Sequence, residues 1–181
     1  MDLKCERILD DSDLDFLRDL SKELKWKEIY QLWNVFKCRI SRPHGRDKHI
    51  TEKMKTLLGI DFDCDGITYF LDYVPGSFTR MHHDRDSELT VITILEQNNL
   101  VGGYSLFYDN YLCPEGGRPN TLVCRRDDKE KESPPYNQPI IPVVVSPKVG
   151  DSLIYDKHLN HGVSRVQSGN RIVFVCWFRK K

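Results

Sequence analysis

After Gly59 the chain is written in short runs of β-branched and aromatic residues, each closed by glycine, proline or a small polar residue. This punctuation limits the fold more than any other feature. Ile67 to Val74 reads as a strand, and Pro75-Gly76 as a turn. Phe78 to Asp84 and Leu89 to Leu95 read as the next strands, and Gly102-Gly103 precedes another at Tyr104 to Tyr108. Val143 to Val145, Ser152 to Tyr155, Gly162 to Val166 and Ile172 to Phe178 complete the set. Seven or eight short strands with turns between them predict a sandwich or barrel-like double sheet.

The first third has a different texture. Leu3 to Leu9 reads as a short edge strand. Asp10 to Ser12 offer N-caps to a helix in which Leu14, Leu17, Leu20 and Leu24 recur at helical spacing. A second amphipathic stretch puts Ile29, Leu32, Trp33 and Phe36 on one stripe and predicts a second helix. Ser41 to Lys48 reads as a loop, and Thr51 as the cap of a short third helix that runs through Leu58 and stops at Gly59. The expected fold class is α+β, mainly β. One domain spans 1–181, with a helical part over about 1–60 packed on one outer face of a β core over about 61–181.

Residues 110–142 break the pattern. Seven prolines and glycines from Pro114 to Pro139, and the mixed charge run Arg125 to Glu132, describe a long loop inserted in the core. Long loops in compact domains are often functional. A solvated excursion and an active-site lid both remain open as readings of it.

Composition removes several function classes. Lys plus Arg and Asp plus Glu each number 27, so the formal net charge is zero. Nucleic-acid binders usually carry a basic excess, so nucleic acid is not an expected partner. Met1 to Asp11 is charged and has no apolar signal core, and no apolar run approaches membrane-spanning length. No membrane partner is expected, and the expected setting is intracellular and cytoplasmic. The six cysteines form no C-x-x-C pair, which reads as buried or surface thiols and not as a zinc site.

Chemistry concentrates at His82-His83-Asp84 and, far downstream, at His161 and Arg171. Strand side chains alternate, so His82 and Asp84 share a face and His83 looks away. A second histidine beside them gives two imidazoles and one carboxylate around one point. That set leaves half an octahedron open and suits Fe(II) holding further ligands. In the second half, His161 opens one strand, Ser168-Gly169-Asn170 reverses the chain, and Arg171 opens the next. Antiparallel pairing of those strands predicts Arg171 near the level of His161. Ile172 to Phe178 is almost wholly apolar and reads as a central strand. An arginine at its start is costly to bury unless a carboxylate meets it. Tyr69 shares a face with Tyr73 and reads as pocket wall or core, and Tyr155, on a strand near the site, reads as core packing. His158 would replace His161 only under a different register. Arg80 and Arg85 flank the triplet and read as solvated or as contacts for an acidic substrate, with solvation the preferred reading.

In order, Tyr73-Val74-Pro75-Gly76, His82 to Asp84, Leu89 to Leu95, Gly102 to Phe107 and Gly150 to Trp177 resemble the iron(II)- and 2-oxoglutarate-dependent dioxygenases. The resemblance is greatest to the prolyl 4-hydroxylase-like branch and covers roughly residues 67 to 178. It implies a double-stranded β-helix, or jelly-roll, core. It implies His82, Asp84 and His161 as metal ligands and catalytic residues. Arg171 is implied to grip the distal carboxylate of 2-oxoglutarate, with Tyr73 and Thr90 as further cosubstrate-pocket residues and Trp177 as core packing. Members with arginine at this position often carry serine two residues on, where this chain has Val173.

The implied cofactors are Fe(II), 2-oxoglutarate as cosubstrate and O2, with ascorbate as a reductant. The implied activity is hydroxylation of a C–H bond, with release of succinate and CO2. The substrate would be a protein side chain, proline first, or a small amino-acid-like molecule. Halogenating relatives lack the carboxylate that Asp84 supplies. Two other readings compete: a nucleic-acid demethylase of the same superfamily, and a non-catalytic jelly-roll binding or sensor domain. Neither the substrate nor the oligomeric state is written in the sequence.

Overall fold

The computed structural model describes residues 3–32, 34–60, 64–84, 86–108 and 143–181. Trp33, Arg85 and the segment 110–142, expected to be a loop or lid, lie outside the described residues. The elements in chain order are β1 (Lys4–Glu6), α1 (Asp11–Glu23), β2 (Lys27–Leu32), β3 (Val35–Ser41), α2 (Lys48–Leu57), β4 (Cys64–Tyr73) and β5 (Phe78–His82). They continue as β6 (Leu89–Gly102), β7 (Ser105–Tyr108), β8 (Val143–Val145), β9 (Ser152–Asp156), β10 (Asn160–Val163) and β11 (Val166–Lys180).

Strand neighbours run β1-β9-β6-β11-β4-β3-β5-β10-β7-β8, and β2 lies on β3. Two four-stranded halves stand out, β9-β6-β11-β4 and β5-β10-β7-β8. β3 joins them: Arg39 to Ser41 pair with β4, while Val35 and Phe36 pair with β5. From β4 to β11 successive strands pass between the halves at every step except β7 to β8. This is a double-stranded β-helix, the jelly-roll core.

The two faces of the β4–β11 ladder bury different things. Phe70, Phe174, Cys176 and Phe178 point to the helices, where they meet Leu14, Leu17 and Leu20 of α1 and Ile50 and Met54 of α2. Tyr69, Leu71, Tyr73, Val173 and Val175 point into the roll. The alternation follows from the two-residue side-chain period of a strand. α1 starts as expected. Asp10 caps it, accepting from the Asp13 N–H at 3.0 Å, while the Asp13 carboxylate accepts from the Asp10 N–H at 3.2 Å. Among the described residues no helix is long and apolar enough to cross a membrane.

Three local expectations are corrected. The helix expected through the stripe Ile29, Leu32, Trp33, Phe36 is not formed at the described positions: Ile29 and Leu32 lie on β2 and Phe36 on β3, which pair antiparallel as a hairpin. The helical spacing of the stripe is a coincidence across a turn. The true period is two: Phe36, Cys38 and Ile40 are buried while Lys37 is exposed. The region before β4 is therefore mixed, with two helices, a hairpin and the edge strand β1. Second, α2 begins at Lys48, before Thr51, whose hydroxyl instead donates to the Asp47 carbonyl from inside the helix.

Third, Ser168-Gly169-Asn170 does not reverse the chain. β11 passes through it, Gly169 takes φ +71°, and register shifts against β6 absorb the irregularity. The reversal lies earlier, between β10 and β11. β10 accordingly pairs with β5 and β7, and Arg171 lies opposite Tyr73 of β4.

Candidate functional site

His82 closes β5, and Asp84 lies just past its end, so the shared face does not come from simple alternation. A bulge does the aiming. His161 pairs with His82 while Val163 pairs with Thr79, so β5 carries one extra residue between those two rungs. Bulges re-aim side chains in this way and cluster beside functional sites. Gly162 permits the close approach of β10 to β5, because a Cβ there would stand 2.8 Å from the Met81 Sδ and 2.9 Å from the Thr79 carbonyl oxygen.

The result is a compact trio. One ligand atom each from His82, Asp84 and His161 lies within 4.8 Å of the others. His82 Nε2 is 3.4 Å from Asp84 Oδ1, and His161 Nε2 is 3.5 Å from Asp84 Oδ2. Two donors bound at right angles to one ion at about 2.1 Å stand roughly 3 Å apart, so the spacing fits a shared cation with little movement.

The tautomers agree with this. The Nδ1–H of His82 donates to the Arg80 carbonyl at 2.7 Å, and that of His161 to the Leu159 carbonyl at 3.0 Å. Each Nε2 is thereby left as a lone pair facing the acid, the second-sphere arrangement that metal-binding histidines use. Burial pushes the His161 imidazole down to about 4, so it is neutral at neutral pH. Burial also raises the Asp84 carboxyl, but the imidazoles of His161 and His82 and the Thr90 hydroxyl outweigh it and hold the group at about 2. A neutral His161 imidazole and an ionised Asp84 are ready to take a divalent ion without first losing protons.

Thr90, expected in the cosubstrate pocket, donates its hydroxyl to Asp84 Oδ2 at 2.8 Å. It holds the acid in place.

Arg171 is 1% exposed, a fully buried guanidinium. One Nη donates to the Gly103 carbonyl at 2.7 Å and to Ser105 Oγ at 3.2 Å. Gly102 and Gly103 both have positive φ, which turns that carbonyl onto the guanidinium. Its Nε has no partner, and no carboxylate among the described residues pairs with it. The guanidinium lies 5.3 Å from the Tyr73 ring centroid, and the Tyr73 hydroxyl is engaged with Thr79 Oγ1 at 3.0 Å. Tyr73 thus supports Arg171 with its ring face.

β7 links the two halves of the site. Phe107 pairs with His161 and Ser105 with Val163, and both β7 residues lie on one face of the strand. The metal trio and the buried cation therefore open on the same interior. Ser105 and the Gly103 carbonyl were not picked out in the sequence; a serine two residues after a Gly-Gly pair was the available sign. The hydroxyl of Tyr155, buried against the His161 ring at 4.5 Å between centroids, also escaped notice.

A family model described as the 2OG-Fe(II) oxygenase superfamily matches residues 68–179, more than half of the chain. No curated protein sequence matches it. Among solved structures, the chain is similar to a 2OG-Fe(II) oxygenase family oxidoreductase from Burkholderia pseudomallei, at 14% identity and TM-score 0.70, covering 99% of this chain and 86% of that one. A prolyl hydroxylase from Trichoplax adhaerens, in complex with a peptide fragment of the hypoxia inducible factor oxygen degradation domain, gives TM-score 0.61 at 13% identity, covering 98% and 83%. HygX from Streptomyces hygroscopicus, with nickel, 2-oxoglutarate and hygromycin B bound, gives TM-score 0.62 at 11% identity, covering 99% and 83%. At these identities the likeness is one of fold.

Proposed function

The chain belongs to the 2OG-Fe(II) oxygenase superfamily, and we propose that within it the protein is a hydroxylase of an aliphatic C–H bond on a protein side chain, proline-like, or on a small amino-acid-like molecule. The observation that carries this reading is a juxtaposition. An acid flanked by two imidazole nitrogens shares a buried interior with a guanidinium that no carboxylate among the described residues meets. Folding does not reward burying such a cation, which is costly unless paired. A carboxylate arriving with a ligand removes the cost.

His82 and His161 through Nε2 and Asp84 through its carboxylate would hold Fe(II). The backbone carbonyls of Arg80 and Leu159 fix the two rings, and Thr90 fixes the acid. Arg171 would hold the distal carboxylate of 2-oxoglutarate through charge-assisted hydrogen bonds. Gly103, Ser105 and the Tyr73 ring keep the guanidinium in place for it. When bound, the metal and cosubstrate supply the oxidative chemistry that consumes O2 and releases succinate and CO2 while a hydroxyl is delivered to the substrate. Asp84 occupies the coordination position that halogenating relatives leave open, which supports hydroxylation. The peptide-bound prolyl hydroxylase among the neighbours supports a side-chain substrate, and HygX with hygromycin B bound supports a small molecule.

The reading is tested in two steps. Fe(II) and 2-oxoglutarate added without O2 should give a visible metal-to-ligand absorption band that neither component gives alone. With O2 and ascorbate admitted, a mass-spectrometric survey of proline-containing peptides and free amino acids should find a gain of one oxygen atom tied to succinate formation. A protein that binds metal yet shows neither the band nor any 2-oxoglutarate-dependent succinate is not this enzyme.

A further inference from the structure

Tyr155 of β9 lies opposite Thr90 of β6 and is fully buried. Its ring has ample packing reasons to be there. It lies 4.5 Å from the His161 ring and 5.5 Å from the Phe107 ring, centroid to centroid. Its hydroxyl has none, because that oxygen is buried without a hydrogen-bond partner among the described residues. A phenylalanine would fill the same space without stranding a polar atom, and a stranded buried hydroxyl costs stability.

The surroundings say what the hydroxyl awaits. It lies within electrostatic reach of Asp84 at the metal end and of Tyr73 and Arg171 at the cation end. Asp84 does not take it up, since its two oxygens face His82, His161 and Thr90. An ordinary phenol keeps its proton at neutral pH, so the group is a donor. Arg171 Nε is a second stranded donor in the same interior. Two unmatched donors between a metal trio and a buried cation call for an acceptor-rich, anionic guest.

We propose that Tyr155 is a cosubstrate-binding residue whose hydroxyl donates to a carboxylate oxygen of 2-oxoglutarate lying between the metal trio and Arg171. The assignment rests on the oxygenase reading above. It gives β9, seen in the sequence only as packing, a direct share in holding the cosubstrate.

The test is Tyr155→Phe in the full chain, loaded with Mn(II) or with Fe(II) in the absence of O2. Metal affinity should stay at the wild-type value. The dissociation constant for 2-oxoglutarate, read by titration without turnover, should rise about tenfold or more, the usual effect of losing one hydrogen bond to a charged group. The metal-loaded variant without cosubstrate should melt no lower than wild type, because a stranded hydroxyl has been removed. The increase in melting temperature on adding 2-oxoglutarate should shrink. An unchanged 2-oxoglutarate affinity would overturn the assignment and leave Tyr155 as filler, with a water as the hydroxyl's partner. A parallel loss of metal affinity would also overturn it, placing the residue in support of His161. Wild-type protein that binds the metal but no 2-oxoglutarate overturns the oxygenase reading, and Tyr155 with it.

Discussion

On the helix side of the β4–β11 ladder, Phe70, Phe174 and Phe178 are completely buried, and so is an acid, Asp72. That acid is met twice, by the Arg39 guanidinium and by Asn170 Nδ2 at 3.1 Å. On the interior side Arg171 is buried almost as deeply, yet among the described residues its Nε is unmatched and no carboxylate answers its charge. The same two strands build both faces, one residue out of phase. Burial alone therefore does not separate a core from a site. What separates them is whether buried polar groups are satisfied from within the chain. The acid on the helix face is answered from within the chain, and the cation of the interior is arranged for something that arrives.

The largest effects should come from the interior's own ligands. Asp84→Ala removes the only carboxylate of the trio and leaves two imidazoles. The anaerobic Fe(II)–2-oxoglutarate band and succinate production should fall to background, while the far-ultraviolet circular dichroism stays that of the folded sheet. A variant that retains full succinate production would erase the distinction between the faces as drawn here.

The next pair tests the distinction from both sides. Phe174→Ala opens a hole on the helix face and should cost about 3–5 kcal/mol in denaturant unfolding. Its folded fraction should bind 2-oxoglutarate with wild-type affinity. Arg171→Met does the reverse. Replacing an unpaired buried charge with an apolar chain is neutral or stabilising for the unliganded protein, while 2-oxoglutarate affinity should drop on the order of 100-fold through loss of a charge-assisted pair. If Arg171→Met unfolds the protein as Phe174→Ala does, the guanidinium is structural and the contrast fails.

Acid should separate the faces more gently. His161 is held down to about 4 by burial, against 6.5 as its ordinary value. Between those values the unfolded chain binds a proton that the folded chain refuses, so stability falls as pH drops through this window. The loss is on the order of 3 kcal/mol by pH 4. Asp84, held at about 2, contributes stability above its ordinary 3.8 that is lost only as pH falls toward 2, a lower and separate window. Metal-free protein should therefore lose stability on going from pH 6.5 to 4, and His161→Gln should flatten that slope. Bound metal should instead carry the slope to lower pH, because it keeps the His161 imidazole unprotonated in the folded chain while the unfolded chain still takes up the proton.

Much of this was legible in the sequence, for definite reasons. The strands of the roll announced themselves through turn residues and two-residue alternation, and His82, Asp84 and His161 through their ordered motifs. Arg171 was legible as a buried cation in an apolar strand, although the predicted route was wrong. It reaches the interior across β4 and β7, and not along a hairpin partner of His161. The bulge between Thr79 and His82 could not be read, because an extra residue in one strand is visible only against its partner. The β2–β3 hairpin was missed because Ile29, Leu32 and Phe36 mimic a helical stripe across its turn. Ser105 and Tyr155 were hidden for a different reason. A serine and a tyrosine in β runs look like filler until one sees where their hydroxyls point and what they lack.

Thr90 offers the finest test, because two readings of it predict different numbers. The family resemblance implied a wall of the cosubstrate pocket, whereas its hydroxyl is committed to Asp84 Oδ2 at 2.8 Å. Thr90→Val keeps the shape and deletes that donor. Groups that orient a metal ligand typically influence metal affinity about 10- to 100-fold when removed; for one neutral hydroxyl the lower end is expected, about tenfold weaker Fe(II) binding. The Asp84 carboxyl should rise, since one of the groups holding it down has gone. With metal supplied at saturation, 2-oxoglutarate affinity should then match wild type. If it falls by a similar factor with the metal site full, Thr90 touches the cosubstrate directly, and the interior has one more open donor than the contrast between the two faces allows.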